Sequence, residues 1–126
     1  MKRVQYQMEF IFRASPSVLY KFFSVSSRIV MWFCDEVEIA NNKYTFVWED
    51  SEEVAYLTES HEEEFLRFKW EDADDEDEYF EFRFEKSPVT GDTVLKITDF
   101  CDEDELDFQR ELWDTQIQQL MRATGG

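Results

Sequence analysis

The chain has 126 residues, with 13 Lys and Arg against 30 Asp and Glu, which gives a formal net charge of −17 at pH 7. A surface this negative repels phosphate backbones and anionic lipid head groups, so nucleic acid is excluded as a partner. The hydrophobic fraction of 43% argues against disorder, and the length suits one domain that spans residues 1–126.

The first elements are a predicted strand and two short helices. Residues 4–12 alternate between apolar and polar side chains, as in a half-buried strand. Its inward face comprises Val4, Tyr6, Met8, Phe10 and Phe12.

Ser15 before Pro16 predicts the start of a helix. The serine hydroxyl can cap the first backbone N–H groups, and proline is tolerated at the first helical position because no N–H is needed there. The apolar stripe of this helix comprises Val18, Leu19, Phe22 and Phe23. Ser27 is a candidate cap for a second helix over residues 28–33.

The next segment is a predicted hairpin around Asn41 and Asn42. Asn tolerates the positive φ of a tight turn, so residues 37–40 and 43–49 are expected to pair. The inward residues of the second strand are Tyr44, Phe46 and Trp48.

A second hairpin is expected from residues 52–61 and 65–71, with its turn at residues 62–64. A turn centred there pairs Tyr56 with Trp70 and Thr58 with Phe68 on the inner face. It also pairs Glu59 with Arg67 on the outer face, a favourable cross-strand pair.

Two further strands and a long helix complete the pattern. Phe80, Phe82 and Phe84 alternate with charged residues, and residues 92–100 form the last strand, with Leu95 and Ile97 inward. Asp102 with Glu105 predicts the start of a helix of about 18 residues. Its apolar stripe comprises Leu106, Trp113, Ile117, Leu120 and Met121. Phe108 and Leu112 fall outside the stripe and could join Phe65 in an exposed apolar strip, so both a monomer and a homodimer stay open.

This order predicts an α+β fold in which the long helix covers the aromatic face of an antiparallel sheet of six to seven strands. The order and several aromatic positions resemble the START-like superfamily, also called SRPBCC. Within it the chain is most similar to the group named for the activator of the heat-shock-chaperone ATPase. The matching features are Ser15-Pro16, Trp32, the Tyr44/Phe46/Trp48 strand, Trp70 and the terminal helix with Trp113.

The resemblance implies a helix-grip fold, a curved sheet wrapped around the long C-terminal helix, with a deep apolar cavity between them. Members of the superfamily bind lipids, sterols, polyketides or plant hormones, a few are cyclases or dehydratases, and others are protein-interaction modules. The chain departs from the group after Trp48, where EDSEEVAY replaces glycines. It departs again before the helix, where FCDEDE replaces a Gly-rich approach. Both departures lie where the mouth of a cavity is expected.

The acidic run EDADDEDE at residues 71–78 matches a calcium-binding loop only in part. From Asp72, the acidic residues Asp74 and Glu76 fit the third and fifth places. Asp77 stands where such a loop requires Gly, and Arg83 where it requires Glu. The pattern therefore favours a solvated acidic turn over a metal site, with carboxylates that keep two aromatic strands from pairing with other chains.

The sequence offers few candidates for catalysis. The single histidine, His61, is expected on the outer face beside Glu59 and the 62–64 turn. The serines Ser24, Ser26, Ser27 and Ser60 therefore lack a histidine base, and Cys34 has no basic neighbour to lower its pKa. Cys34 and Cys101 are too far apart in sequence for a zinc or redox motif. No catalytic residue, cofactor or metal is expected, and the Gly125-Gly126 pair is interpreted as a helix cap.

The inward aromatic residues fit either a packed core or the wall of a pocket, and the sequence leaves both open. Polar groups that could orient a ligand are Tyr6, Tyr44, Tyr56, Gln109 and Gln116. The predicted ligand-contacting residues are Phe10, Tyr44, Phe46, Tyr56, Phe68, Trp70, Phe82, Leu95, Trp113 and Ile117.

The first hypothesis for function is non-enzymatic binding of a small hydrophobic ligand between sheet and helix. The alternatives are a protein-interaction module that uses the acidic surface, for which a chaperone is one candidate partner, and an enzyme of the cyclase or dehydratase type. No apolar run approaches the roughly 18 residues of a membrane span, and no signal peptide is recognised, so no membrane insertion and a cytoplasmic location are expected.

Overall fold

The computed structural model describes residues 2–73 and 75–126, so Asp74 of the acidic run lies outside the described residues. Seven antiparallel strands form one curved sheet in the order β1-β7-β6-β5-β4-β3-β2. The strands are β1 (Arg3–Phe12), β2 (Glu36–Ala40), β3 (Lys43–Trp48), β4 (Ser51–His61), β5 (Phe65–Trp70), β6 (Phe80–Lys86) and β7 (Thr93–Asp102). The helices are α1 (Pro16–Ser24), α2 (Ser26–Ile29) and α3 (Leu106–Thr124), the last preceded by a 3-10 turn (Glu103–Glu105). The predicted helix-grip fold is confirmed.

The start of α1 is as predicted, whereas one residue of its stripe is not buried. Ser15 accepts a hydrogen bond from the backbone N–H of Val18 at 3.2 Å, and Pro16 occupies the first turn. The buried residues are Leu19, Phe22 and Phe23. Val18 is 45% exposed, because the positions three and four residues after Leu19 define the buried face and Val18 lies on its flank.

The second helix begins earlier than predicted. It spans Ser26–Ile29 rather than 28–33, and no side chain caps it. The backbone carbonyl of Val25 accepts from the N–H groups of Arg28 and Ile29, both at 2.9 Å. The helical turn therefore closes two residues before the proposed cap, and Ser27 lies inside the helix.

The hairpin between β2 and β3 is confirmed, with Ala40 paired to Lys43. Of its two turn residues, Asn41 has a positive φ of 59°. Tyr44 and Phe46 are buried and Trp48 is partly buried, as the alternation predicts.

The predicted register between β4 and β5 is wrong by one residue over part of the strand pair. Glu59 pairs with Arg67 as predicted, but Ala55 pairs with Trp70 and Leu57 with Phe68. The cause is a β-bulge between Leu57 and Glu59, which adds one residue to β4 and reverses the facing of the residues before it. Tyr56 therefore lies on the outer face, not opposite Trp70.

The last strands present the predicted residues to the core. Phe80, Phe82, Phe84, Leu95 and Ile97 are all buried. The outer face of β6 carries Glu81 between Arg67 and Arg83, each of which donates to its carboxylate.

The long helix starts three residues later than predicted, with Glu105 rather than Asp102 at the N-cap position. Asp102 makes no capping hydrogen bond and instead accepts from Arg3 at 3.1 Å, and the 3-10 turn intervenes. The predicted stripe is otherwise confirmed: Trp113, Ile117 and Leu120 are buried, and Leu106 and Met121 pack against the core. Gly125 closes the helix with a φ of 86°, as the cap interpretation requires.

Phe108 and Leu112 are 63% and 45% exposed on α3. Phe65 does not extend them into one strip, because it lies on the outer face of the sheet under the guanidinium of Arg83. The helix packs on the opposite face, where Trp113 contacts Phe82. Within the described ranges, no helix is long and apolar enough to cross a membrane.

Candidate functional site

The centre of the aromatic interior is packed. The ring of Phe82 lies 4.5 Å from that of Phe23, 5.6 Å from Trp113 and 6.2 Å from Phe68, measured between centroids. The void lined by Phe23, Phe68, Phe82 and neighbouring rings has a volume of about 20 Å³. That is room for roughly one water molecule, not for an organic ligand.

A larger cavity opens at one end of the sheet. It is a partly open cleft of about 410 Å³ between the first half of α3 and the ends of the neighbouring strands. This volume lies in the range of small-molecule sites, about 300–1,000 Å³. Its aromatic walls are Phe33, Trp48, Trp70, Tyr79, Phe100 and Trp113.

Two of these rings are held in place by contacts with other groups of the protein. The indole N–H of Trp48 donates to the carbonyl of Phe33 at 2.9 Å. Trp70 stacks on Phe80 with a centroid distance of 4.6 Å. Because the N–H of Trp48 is already satisfied and the ring of Trp70 is held in place, the cleft has rigid apolar walls before any ligand arrives.

Asp99 is the acid most enclosed by the wall of the cleft. Its Oδ2 atom accepts from the indole N–H of Trp113 at 3.0 Å and from the hydroxyl of Tyr6 at 3.2 Å. Its Oδ1 atom accepts from the backbone N–H of Phe100 at 2.8 Å. Burial raises the pKa of Asp99 above its usual value although these hydrogen bonds act the other way. Burial, and then the charge of Asp99, raise the pKa of Tyr6.

Sequence reasoning missed Asp99, although a signal for it exists. Leu95 and Ile97 are inward residues of β7, and the same alternation makes Asp99 and Cys101 inward. An acid at a predicted inward position is uncommon and marks a site for closer inspection.

The acidic run forms a wall of the cleft. Asp72, Ala73, Glu78 and Tyr79 line it, so this part of the turn faces a cavity as well as solvent. Arg3 ties the turn to β1 through two hydrogen bonds to the carboxylate of Glu78. Hydrogen bonds from Arg3 to Glu78, and then to Asp102, raise the pKa of this arginine despite partial burial.

The predicted ligand-contacting residues are distributed over three environments. Trp70 and Trp113 line the cleft, and so do the predicted polar residues Gln109 and Gln116. The residues that lie in the packed interior or against it are Phe10, Tyr44, Phe46, Phe68, Phe82, Leu95 and Ile117. Tyr56 is on the outer face, where its hydroxyl donates to Glu71 at 2.8 Å.

His61 and the cysteines lie outside any catalytic arrangement among the described residues. His61 is exposed at the β4–β5 turn and pairs with Glu64. Both cysteines are free and buried. Burial, and then the charge of Asp35, raise the pKa of Cys34 to about 11. Burial also raises the pKa of Cys101, which lines the cleft, so both thiols are protonated and unreactive at neutral pH.

One group of carboxylates among residues 2–73 and 75–126 is close enough to share a cation. It consists of Asp102, Asp104 and Glu105 beside the cleft, and two of its members are exposed. The acidic run supplies no such group within the part of the chain that is described. Clusters of exposed carboxylates are common without a bound ion, so this group alone does not make a metal site.

Comparison with known proteins identifies the family. The family model for the START-like superfamily domain matches residues 1–126, and the chain belongs to that superfamily. The comparison with curated proteins finds no match.

Three solved structures illustrate the likeness. BfR322 from Bacteroides fragilis is 34% identical, with a TM-score of 0.70, 97% of this chain covered and 91% of that one. The Aha1 dimer from Colwellia psychrerythraea is 14% identical, with a TM-score of 0.82 and 96% of each chain covered. DynU16, from the dynemicin biosynthetic locus, is 12% identical with a TM-score of 0.75, and the match covers 94% of this chain and 46% of that one. The last two show a shared fold.

Proposed function

We propose that the chain, as one domain spanning residues 1–126, binds a small, largely apolar molecule in the cleft and does not change it chemically. The observation that carries this proposal is the cleft of about 410 Å³ with aromatic walls. START-like domains generally bind ligands, and the cleft lies between the helix and the sheet, as in that family. The proposed site lies at one end of the sheet rather than over its centre, because aromatic rings already fill the space between the centre of the sheet and the helix.

Affinity would come from burying apolar ligand surface against the aromatic walls. Each Å² of apolar surface removed from water contributes about 25 cal/mol, from which the costs of association must be subtracted. Of the ligand contacts predicted from the sequence, Trp70 and Trp113 line the cleft. Gln109 and Gln116 also line it and can orient a polar group of the ligand.

The hydrogen bonding of Asp99 favours binding over catalysis. A general base needs a lone pair directed at the substrate proton. Asp99 accepts from Phe100, Tyr6 and Trp113, so three of its roughly four lone-pair sites are occupied by protein donors.

A panel of lipids and polyphenols, screened by thermal shift and native mass spectrometry, tests the proposal. We expect at least one compound to bind with 1:1 stoichiometry and to raise the melting temperature. The Trp70→Leu variant should lose this response, whereas Tyr56→Phe on the outer face should keep it. If no compound binds, or if Trp70→Leu binds as well as the wild type, the cleft is not the site.

A second candidate function is protein interaction through α3. Phe108 and Leu112 lie one turn apart and are exposed, as at many interfaces. The Colwellia psychrerythraea neighbour is described as a dimer. Sedimentation of the wild type and of Phe108→Ser tests this candidate: the wild type should be a dimer, and the substitution should dissociate it. If the wild type is a monomer at all concentrations, self-association through α3 is excluded. The remaining form of protein interaction is binding of a basic partner to the acidic surface, and that binding should weaken with salt.

A further inference from the structure

The lining of the cleft has an excess of negative charge. Its six acidic residues are Glu53, Asp72, Glu78, Asp99, Asp102 and Glu105. Its single cation is Arg3, which is already paired with Glu78 and Asp102. In residues 2–73 and 75–126, none of the other four carboxylates has an ion-pair partner.

Two of these carboxylates, Glu53 and Asp72, lie at the same end of the β4–β5 pair. Ala55 pairs with Trp70, and the next backbone hydrogen bond joins the N–H of Glu71 to the carbonyl of Val54 at 2.8 Å. Glu53 and Asp72 are the next residues beyond this hydrogen bond, Glu53 on β4 and Asp72 in the turn after β5, and the charge of Asp72 acts on Glu53. A nearby like charge disfavours the ionised form of a carboxylate. Burial, and then the charge of Asp72, raise the pKa of Glu53, as expected where no cation compensates the pair.

The aromatic walls of the cleft also favour a cation over an anion. The face of an aromatic ring is the negative end of its quadrupole, and it attracts cations, with Trp the strongest of the three types. Trp48, Trp70 and Trp113 line the same cleft as the unpaired carboxylates. A cation with an apolar body can therefore contact both, whereas an anion would be repelled by both.

We propose that the cleft selects an organic cation: an ammonium compound whose apolar body packs on the tryptophans and whose charge lies near Glu53 and Asp72. This inference rests on the proposed binding function and adds the charge of the ligand to it. The positive charge of the ligand would compensate the negative charges of Glu53 and Asp72. Arg3 does not compensate them, because it is already paired with other carboxylates.

Three probes with one phenylbutyl body separate charge from hydrophobic fit. They are 4-phenylbutylammonium, 4-phenylbutan-1-ol and 4-phenylbutanoate, titrated into the ¹⁵N-labelled protein at pH 7. The indole N–H resonances of Trp70 and Trp113 report on the cleft. We expect the ammonium compound to bind about 10-fold more tightly than the alcohol, and the carboxylate more weakly than either.

Variants then assign the preference to Glu53 and Asp72. Glu53→Gln and Asp72→Asn should each reduce the advantage of the cation over the alcohol by about 2- to 5-fold. Glu52→Gln removes the same charge from an exposed neighbour that does not line the cleft, and should leave the advantage unchanged.

The outcomes separate the two proposals. Equal or tighter binding of the alcohol at the same resonances would overturn the charge preference and leave a hydrophobic site. An equal loss in Glu52→Gln would assign the preference to the net charge of the protein and overturn the local assignment. Failure of all three probes to shift the cleft resonances would contradict both proposals.

Discussion

The indole N–H of Trp113 donates a 3.0 Å hydrogen bond to Asp99, which joins α3 to β7 at the wall of the cleft. The same carboxylate oxygen also accepts from Tyr6 on β1. One acid thus connects the helix and the two paired strands at this end of the sheet, and it fixes a ring that lines the proposed site.

Asp99→Asn should lower the free energy of unfolding by about 1–3 kcal/mol, because an amide cannot accept from donors on both of its sides and one N–H loses its acceptor. Urea unfolding measures the change. Asp114→Asn makes the same substitution on the exposed face of α3, where a change within about 0.5 kcal/mol is expected. Equal stabilities of the two variants would show that the Asp99 hydrogen bonds contribute nothing.

The titration of Asp99 should be shifted upward. Burial raises its pKa above the ordinary value of 3.8, and Tyr6 and Arg3 face it without reversing the shift. Asp99 therefore binds its proton more tightly in the folded state than in the unfolded chain. The contribution of this pKa shift to the free energy of unfolding is therefore complete below pH 3.8 and is lost as pH rises through the folded pKa, whereas the hydrogen bonds that Asp99 accepts persist in its ionised form. NMR titration of the carboxyl carbon measures this pKa, and a value at or below 3.8 would contradict the burial argument.

Cys34 should resist thiol reagents in the folded protein. It is 7% exposed and its pKa is raised to about 11, so little thiolate exists at pH 8. Labelling by iodoacetamide, followed by mass spectrometry, should be slow in buffer and fast in urea. Ser27→Cys introduces an exposed thiol on α2 as an internal standard. Similar labelling rates for the two thiols would be inconsistent with the buried position of Cys34.

Phe82 should act as a core residue. Its ring packs against Phe23 and Trp113, so Phe82→Ala is expected to lower the free energy of unfolding by about 3–5 kcal/mol. Phe108→Ala removes the same ring from an exposed position and should change it by less than about 0.5 kcal/mol. Chemical denaturation compares the two. A small effect of Phe82→Ala would instead favour a hollow interior that a ligand fills.

The order of elements and most inward faces were predictable because they follow from short-range periodicity. Phe80, Phe82 and Phe84 at every second position can share only one face, and the structure buries all three. The position of Tyr56 was not predictable in the same way. A bulge adds one residue to a strand without a distinctive sequence, and it reverses the facing of each residue before it up to the next irregularity.

The site was less accessible to sequence reasoning than the fold. Whether the ring of Phe68 meets another ring or an empty space depends on how all neighbouring side chains fill the volume, and its stacking on Phe80 at 5.1 Å involves a residue of another strand. The spacing of the acidic run fails the calcium pattern and by itself indicates a solvated turn. Its role as a wall of the cleft arises from the tie between Arg3 and Glu78, which lie 75 residues apart in the chain.

Mapping a bound probe tests the central claim most directly. In the ¹H–¹⁵N spectrum, saturation with 4-phenylbutan-1-ol or its ammonium counterpart should shift the indole N–H signals of Trp70 and Trp113 and the backbone signals of Asp99–Asp102. The signals of the outer-face residues around Tyr56 should stay in place. Shifts confined to the outer face or to the surroundings of Phe108, or no shifts with either compound, would contradict a ligand site in the cleft.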